Sequence, residues 1–292
     1  MPVLVKFKSN MNYECGKGGI EVLCPSKQGF INYNFIHSVN PEINCDTWRM
    51  SVVNAVLDDG ESILPLTNEG AEWEMAIRLY QRPDFIGGFA HGDERGELSA
   101  IIVDGKEKEL SFLTDQKECE KFELVVRSLG FDPSAPEKAV LSHSKHFTLT
   151  EEGVCLEQEV EWLCDVKLDD CIKSYLAMMP PMKHDKTNSK IILTDHYSFN
   201  DEEMMRIETL PVNKKCVSKI MVLGRESGIT FSMKASGYEP YYQTSYDAIL
   251  TDNGNHLNYH KMYIVFAGGD GAIVPQGTIW NSTTYYNIEL NK

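Results

Sequence analysis

Residues 145–166 read KHFTLTEEGVCLEQEVEWLCDV, and this stretch decides the fold class. Apolar and polar residues alternate on both sides of the Glu-Glu-Gly step at 151–153. Alternation with a period of two is typical of a half-buried β-strand, because successive side chains of a strand point to opposite faces. The stretch therefore predicts two antiparallel strands joined by a tight turn. One face of the second strand carries Val154, Leu156, Gln158, Val160 and Trp162.

The same alternation recurs along the chain, for example at 29–39 (GFINYNFIHSV), 72–81 (EWEMAIRLYQ) and 283–290 (TTYYNIEL). Residues 97–113 (ELSAIIVDGKEKELSFL) predict two further strands. The Asp104-Gly105 step between them predicts a hairpin, because glycine accepts the positive φ that tight primed turns require.

Helical candidates are few and short. Residues 115–130 fit either a helix that stops at Gly130 or a strand over FELVVRSL, and residues 200–207 (NDEEMMRI) fit a single helical turn. The sequence therefore predicts an all-β fold of many antiparallel strands, a β-sandwich or a larger double sheet, with few short helices. We expect one domain over 1–292, with 131–140 (FDPSAPEKAV) as a connection inside it.

Composition and charge restrict the partners. The chain of 292 residues has a net charge of −15, which argues against a nucleic-acid surface. No apolar run approaches the roughly 18 residues of a membrane-spanning helix, and the first residues lack the apolar core of a signal peptide. We expect a soluble protein that is cytoplasmic or a component of a virion, with a homo-oligomer or larger assembly possible. We also expect the eight cysteines to be free thiols, mostly buried.

Residues 84–96 (DFIGGFAHGDERG) carry the strongest chemical pattern. Adjacent glycines allow a close backbone approach to a ligand, and a histidine beside carboxylates can be tuned as a general acid or base. His91 and Glu94 are therefore candidate catalytic residues. Asp93 in this stretch and Arg82, which flanks it, are candidate substrate contacts.

Two further stretches add candidates. In HSKHF (143–147), alternation places His143 and Lys145 on one side of a strand and His146 on the other. His143 is a candidate for proton transfer and Lys145 for substrate binding. GYEPYYQTSY (237–246) offers tyrosines that could stack on sugar rings, with Tyr242 as the candidate.

Two resemblances suggest different chemistries. His91-x-x-Glu94 resembles the HGxE zinc-ligand motif of metallocarboxypeptidases and aspartoacylase-like deacylases, which implies a zinc-dependent hydrolase with His196 as a further ligand. On this interpretation a divalent metal is possible. Otherwise no cofactor is expected.

The longer resemblance covers most of the chain. GGFAHGDERG (87–96), LTDHYSFND (193–201) and VPQGTIWNSTTYYNIEL (274–290) resemble, in order and spacing, motifs of the aldose 1-epimerases, or galactose mutarotases. The resemblance implies a β-supersandwich in which His91 contacts the sugar and His196 is the catalytic acid. The late glutamate that serves that family as base has no match, since no glutamate occurs between Glu239 and Glu289.

Three hypotheses follow. The first is a carbohydrate-active enzyme, most simply a lyase acting on an acidic, uronate-containing polysaccharide, because the same architecture occurs in polysaccharide lyases. Its catalytic residues would be His91, Glu94 and either His143 or His196, with Arg82 near the substrate acid. The second is a non-catalytic glycan-binding or phage structural module. The third is the zinc-dependent hydrolase.

Overall fold

The computed structural model describes residues 1–9, 16–57, 63–67, 73–181, 195–200, 203–208, 212–214, 217, 219–225, 227–236, 248–252 and 260–291. Strands dominate these ranges, and the helices are a single α-helical turn, α1 (Gly88–His91), and two 3-10 turns. None of these helices has the length and hydrophobicity needed to cross a bilayer. The strands, in chain order, are β1 (Val3–Lys8), β2 (Gly16–Ser26), β3 (Gly29–Asn40), β4 (Cys45–Val56), β5 (Ile63–Pro65), β6 (Glu94–Val103), β7 (Lys106–Lys108), β8 (Lys117–Cys119), β9 (Phe122–Asp132), β10 (Ala135–Thr150), β11 (Gly153–Trp162), β12 (Val166–Lys167), β13 (Lys173–Met179), β14 (Asp195–Asn200), β15 (Glu203–Ile207), β16 (Val212–Lys214), β17 (Lys219–Gly224), β18 (Ile229–Ser236), β19 (Ala248–Asp252), β20 (His260–Gly268), β21 (Ile273–Val274) and β22 (Ile279–Leu290).

Most strands belong to one sheet of sixteen. Its order is β15-β14-β17-β18-β22-β11-β10-β9-β6-β4-β3-β2-β1-β8, with β5 beside β4 and β7 beside β6. Its neighbours are antiparallel except for β4 and β6, which meet in parallel at Cys45 and Glu94. A four-stranded sheet, β13-β20-β19-β16, and the pair β12-β21 complete the described part of the fold.

The large sheet bends so that one half packs against the other. Phe35 on β3 and Phe147 on β10 meet edge to face, with ring centroids 5.0 Å apart. The four-stranded sheet covers the same face, since β13 contacts β18 and β22 and its Leu176 carbonyl accepts from Gln158 Nε2 on β11. We call this covered side the inner face and the opposite side the outer face. The fold is therefore an all-β, antiparallel, supersandwich-like sandwich.

Two apolar clusters fill the inner face. The larger contains Tyr33, Phe147 and Phe231. The smaller contains Trp162 and Trp280, whose rings are 5.0 Å apart. Burial of such large side chains is the main favourable contribution to folding, at about 25 cal/mol per Å² of apolar surface.

Several sequence expectations are confirmed. β10 and β11 form the predicted hairpin, and the predicted face of β11 is the buried one. β6 and β7 meet at Asp104-Gly105, where both residues have positive φ (48° and 74°). All six described cysteines are free thiols, three of them buried, while Cys15 and Cys216 lie outside the described residues.

Other expectations need correction. Residues 115–130 form two strands, β8 and β9, rather than a helix, and residues 203–207 form β15 instead of a helical turn. Residues 73–81 pair only through isolated bridges such as Ala76 with Tyr175. Leu110–Leu113 is a 3-10 turn. The segment 131–140 contains the end of β9, a turn and the first residues of β10, so that it connects two paired strands of the large sheet.

The glycine-rich stretch folds as a closed loop. Gly87 and Gly92 bridge each other, α1 lies between them, and Glu94 already begins β6. Gly92 has φ 80° and ψ −149°, a conformation that is essentially restricted to glycine. A Cβ placed there would also lie 1.9 Å from the Ile43 carbonyl oxygen. Gly92 therefore fixes the path of the chain into β6.

We predict that Gly92→Ala lowers the free energy of unfolding by more than about 3 kcal/mol, because it combines backbone strain with a backbone clash. Gly105→Ala is the control, since Gly105 also has positive φ but nothing lies within 4 Å of its added Cβ. We expect this control to cost about 1–2 kcal/mol. Urea unfolding curves of the two variants measure the difference, and equal losses would contradict the assigned clash.

Candidate functional site

A row of polar side chains crosses the inner face between the two apolar clusters. Its members lie on five adjacent strands, and strand register brings them together: Lys145 is opposite Gln158, and Gln158 is opposite Ser282. Each is at least 95% buried. The polar row consists of Glu94, Ser128, His143, Lys145, Gln158 and Ser282.

Alternation explains why these side chains point inward. On β10 the inward positions run Leu141, His143, Lys145 and Phe147, so that two polar residues stand between the smaller and the larger apolar cluster. The predicted placement of His143 and Lys145 on the side opposite His146 is confirmed, since His146 is half-exposed. The row is thus built into the strand pattern and does not depend on a loop.

Glu94 is the centre of the row. Its carboxylate accepts from Lys145 Nζ at 2.8 Å, from Ser128 Oγ at 2.6 Å and from the Gly88 amide at 3.1 Å. His143 Nδ1 lies 3.6 Å away. Burial by itself would raise the pKa of Glu94, but the Lys145 ammonium and His143 hold that pKa well below its usual range. Glu94 is therefore a fully engaged carboxylate.

Lys145 also reaches the other half of the sheet. Its Nζ donates to the Trp48 carbonyl on β4 at 3.3 Å, in addition to the Glu94 carboxylate. Removing one partner of a buried ion pair leaves an uncompensated charge, which is far more costly than the net value of the pair. The pair therefore stabilises this arrangement of the two halves.

Gln158 links the row to the second sheet. Its Oε1 lies 3.0 Å from His143 Nε2, and its Nε2 donates to the Leu176 carbonyl on β13 and to Ser282 Oγ. Burial lowers the pKa of His143, against the opposing effect of Glu94 beside it. His143 is therefore a neutral imidazole at neutral pH.

A second carboxylate and a guanidinium extend the row. Glu74 is fully buried and accepts from the Met50 amide at 2.8 Å, and burial raises the pKa of Glu74, opposed by the nearby Lys145. Arg49 Nε donates to Ser38 Oγ at 2.8 Å, and its guanidinium stacks on Phe89 of α1 at 4.9 Å. The row and its extension together hold acid, base and cationic groups, all of them covered.

The structure places the loop candidates elsewhere. His91 Nδ1 pairs with Asp84 at 2.7 Å near the surface, while the Glu94 carboxylate points into the buried row. Arg82 makes a two-pronged pair with Asp132 at 2.6 and 2.8 Å. Asp93 accepts from Asn44 at 3.1 Å, and burial raises the pKa of Asp93. These candidate residues are close together in the sequence, but in the structure each side chain contacts a different partner.

His196 belongs to a different part of the large sheet. It lies on β14, and its ring packs on that of His260 with centroids 4.8 Å apart. Burial lowers the pKa of His196, with Asp195 acting in the opposite direction. Five strand-to-strand steps separate β14 from β10 along the sheet. Tyr242 lies outside the described residues.

Within the described ranges, one group of three potential metal ligands lies close together: Asp169, Asp170 and Cys171. Asp169 is engaged by the backbone amides of Cys171 and Ile172. Neither His91 nor Glu94 belongs to this group. In the described ranges the His91 and Glu94 side chains have separate partners, Asp84 and Lys145.

The outer face carries an open groove of about 520 Å³ across β17, β18, β22, β11 and β10. The pairing register of the strands places the residues that line this groove next to one another. Lys219 is opposite Lys234, and Lys234 is opposite Tyr285. Tyr285 is opposite Cys155, and Cys155 is opposite Thr148. Four strand steps of about 4.8 Å make this line about 19 Å long. We call it the outer groove. Ser232, Asn287 and Thr150 also line it.

Sequence reasoning missed both the polar extension and this groove. No sequence pattern marked Glu74 or Arg49 as a site residue, since each lies in a stretch that has the pattern of an ordinary strand. Tyr285 is recognisable as an outward residue, because alternation in TTYYNIEL separates it from the buried Tyr286. What the pattern does not contain is the order of strands that brings Tyr285 beside Lys234.

The sequence matches no protein-family model and no curated protein. Among solved structures, a galactose mutarotase-like protein from Clostridium acetobutylicum aligns with a TM-score of 0.51, over 99% of this chain and 99% of its own, at 8% identity. The chain has a galactose mutarotase-like fold. A galactose mutarotase-like protein from Lactobacillus casei aligns over 92% of this chain and 100% of its own, with a TM-score of 0.46 and 6% identity. At this identity the likeness concerns the fold alone.

We predict that Lys145→Met lowers the free energy of unfolding by about 3–5 kcal/mol, because it leaves Glu94 buried without its cation. The double variant Lys145→Met/Glu94→Gln should recover part of this loss.

Because the folded pKa of Glu94 is depressed, its stabilisation is present above the unfolded value of about 4.3 and is lost as pH falls further. Stability of the wild type should therefore fall more steeply in this acid range than that of the double variant.

Urea titrations at pH 7 and at several acid pH values measure both effects. Equal acid slopes for the wild type and the double variant would contradict a depressed pKa for Glu94.

Proposed function

We propose that this chain is a carbohydrate-binding protein and that its ligand lies in the outer groove. The observation that carries the proposal is the exposed ring of Tyr285, which stands in an open groove between lysines and hydroxyl-bearing side chains. An exposed aromatic ring offers a flat apolar surface, and the polar groups around it can pair with hydroxyls. Sugars present both kinds of surface.

The size and shape of the outer groove support binding. Its volume of about 520 Å³ falls within the range of about 300–1,000 Å³ common for small-ligand sites. Another groove, of about 700 Å³, is lined by Met1, Pro2, Glu120, Thr150, Glu151 and Glu152 and offers no aromatic ring. The outer groove therefore has the better chemistry for sugar.

The fold agrees with this assignment. The Clostridium acetobutylicum protein with the same fold is described as galactose mutarotase-like, which relates that protein to sugar chemistry. The polar row does not offer an open site in this conformation, because its side chains are buried and engaged with one another. A binding role thus fits better than a catalytic one at the row.

We predict that Tyr285→Ala weakens binding roughly tenfold, equivalent to about 1.4 kcal/mol, because it removes the exposed ring of the groove. Binding is measured by isothermal titration calorimetry with the tightest ligand from a panel of neutral and acidic oligosaccharides. The control is Phe112→Ala, since Phe112 is exposed but lies on the 3-10 turn Leu110–Leu113, away from the groove. Equal affinities for the two variants would contradict the proposal, as would a panel in which no sugar binds.

A uronate lyase centred on the polar row is the second candidate. The observation in its favour is that a carboxylate, a cation and a neutral imidazole meet at Glu94, Lys145 and His143. In a lyase, Lys145 would neutralise the uronate carboxylate and His143 would take the C5 proton. The electron pair of the broken C5–H bond then forms the C4–C5 double bond, the C4–O bond breaks, and the leaving glycosidic oxygen takes a proton from the protonated His143.

We predict that the ultraviolet absorbance of unsaturated uronate stays flat when the protein is incubated with uronate polysaccharides, because the row is closed. The assay is run with and without a chelator. A rise in absorbance that His143→Gln abolishes would overturn this expectation and establish the lyase.

A further inference from the structure

Two lysines of the outer groove occupy a costly arrangement. Lys219 and Lys234 are directly opposite each other on β17 and β18, and both point to the outer face. Like charges at directly opposite positions destabilise a sheet. In an acidic chain of net charge −15, neutralising partners would be easy to supply. The stability of the fold therefore does not explain why the two lysines are opposite each other.

The described ranges provide no carboxylate for either lysine. The lysine–carboxylate pairs within 4.0 Å in that part of the chain involve Lys8, Lys121 and Lys145. Lys219 instead lies over the Phe199 ring at 5.2 Å. Because Phe199 is the partner of Lys219 on β14, the aromatic ring holds the ammonium group at one end of the groove.

Charge is divided along the groove. The two lysines stand at one end, while Glu152 lines the other end, in the turn between β10 and β11. Tyr285, Ser232 and Asn287 lie beside the lysine end, since Lys234 faces Tyr285 and Ser232 faces Asn287. An anionic group is thus favoured at the lysines, and an uncharged ring with hydroxyls is favoured beside it.

We infer that the outer groove takes an acidic saccharide, a sugar whose carboxylate lies between Lys219 and Lys234 and whose ring packs on Tyr285. This inference rests on the proposed carbohydrate-binding function and names its ligand class. Two ammonium groups supply charge-assisted hydrogen bonds to a carboxylate, and such bonds are roughly twice as strong as neutral ones. The ligand offsets the repulsion between the lysines when it binds.

The test compares two matched ligands by isothermal titration calorimetry at low salt. One is a short oligogalacturonate, and the other is its methyl ester, which has the same rings without the charge. We expect the acid to bind at least tenfold more tightly than the ester. We expect Lys219→Gln/Lys234→Gln to remove that preference, so that the acid and the ester bind to this variant with equal affinity.

The control variant is Lys106→Gln/Lys138→Gln. It makes the same change in net charge at two exposed lysines outside the groove lining. If this control still prefers the acid, the preference depends on the two groove lysines and not on the overall charge of the protein. A preference lost equally in both variants would overturn the inference.

The outcomes distinguish this inference from the proposed function. Equal binding of acid and ester, unchanged by the lysine substitutions, would overturn the inference and leave a carbohydrate-binding protein. Binding of neither ligand, together with no binding across the sugar panel, would remove the proposed function itself. Competition by inorganic sulfate as strong as that by free galacturonate would show an anion site without sugar recognition, and would also overturn the inference.

Discussion

The buried ion pair between Glu94 and Lys145 is the contact on which the rest of the architecture depends. Its nitrogen–oxygen distance is 2.8 Å, and both side chains are almost fully covered. Lys145 joins β10 to β4 through the Trp48 carbonyl, and Glu94 receives the Gly88 amide of α1. One pair of charges thus fixes the two halves of the bent sheet and the glycine-rich loop relative to each other. Removing either partner would leave an uncompensated buried charge, which is strongly destabilising.

The two faces of the large sheet differ in function because the apolar core lies on the inner face. Both apolar clusters and the polar row lie there, and the row separates the clusters as a layer of buried polar side chains that contact one another. On β11 and β22 the outer face then carries exposed or half-exposed residues at every second position. Lys234 and Tyr285 are outward residues of the strands whose inward residues, Met233 and Tyr286, are fully buried.

Local patterns made the strands and the fold class predictable, while long-range pairing decided the site. The alternation in 145–166 predicted β10, β11 and the residues that share one face of β11, and Asp104-Gly105 predicted its hairpin, because both depend on neighbouring residues. For residues 115–130 the sequence left a helix and a strand open, and the strand over FELVVRSL is confirmed, since β6 and β10 pair with it on both sides. Among the site candidates, Glu94, His143 and Lys145 do converge. His91, Arg82 and Asp93 do not join them, because each found a nearer partner in Asp84, Asp132 or Asn44.

The strand order of the outer groove has a thermodynamic consequence. Its lining comes from β10 and β11 in the middle of the sequence and from β17, β18 and β22 towards the end, so that Thr148 and Asn287 line one groove although 139 residues separate them (287 − 148). An unfolded chain cannot assemble such a surface and therefore has no comparable affinity for the ligand. Any ligand of the groove must then shift the folding equilibrium, by about 2.7 kcal/mol when its free concentration is a hundred times Kd. The melting temperature of the protein should thus rise when a ligand occupies the groove, even if binding of that ligand gives no other measurable change.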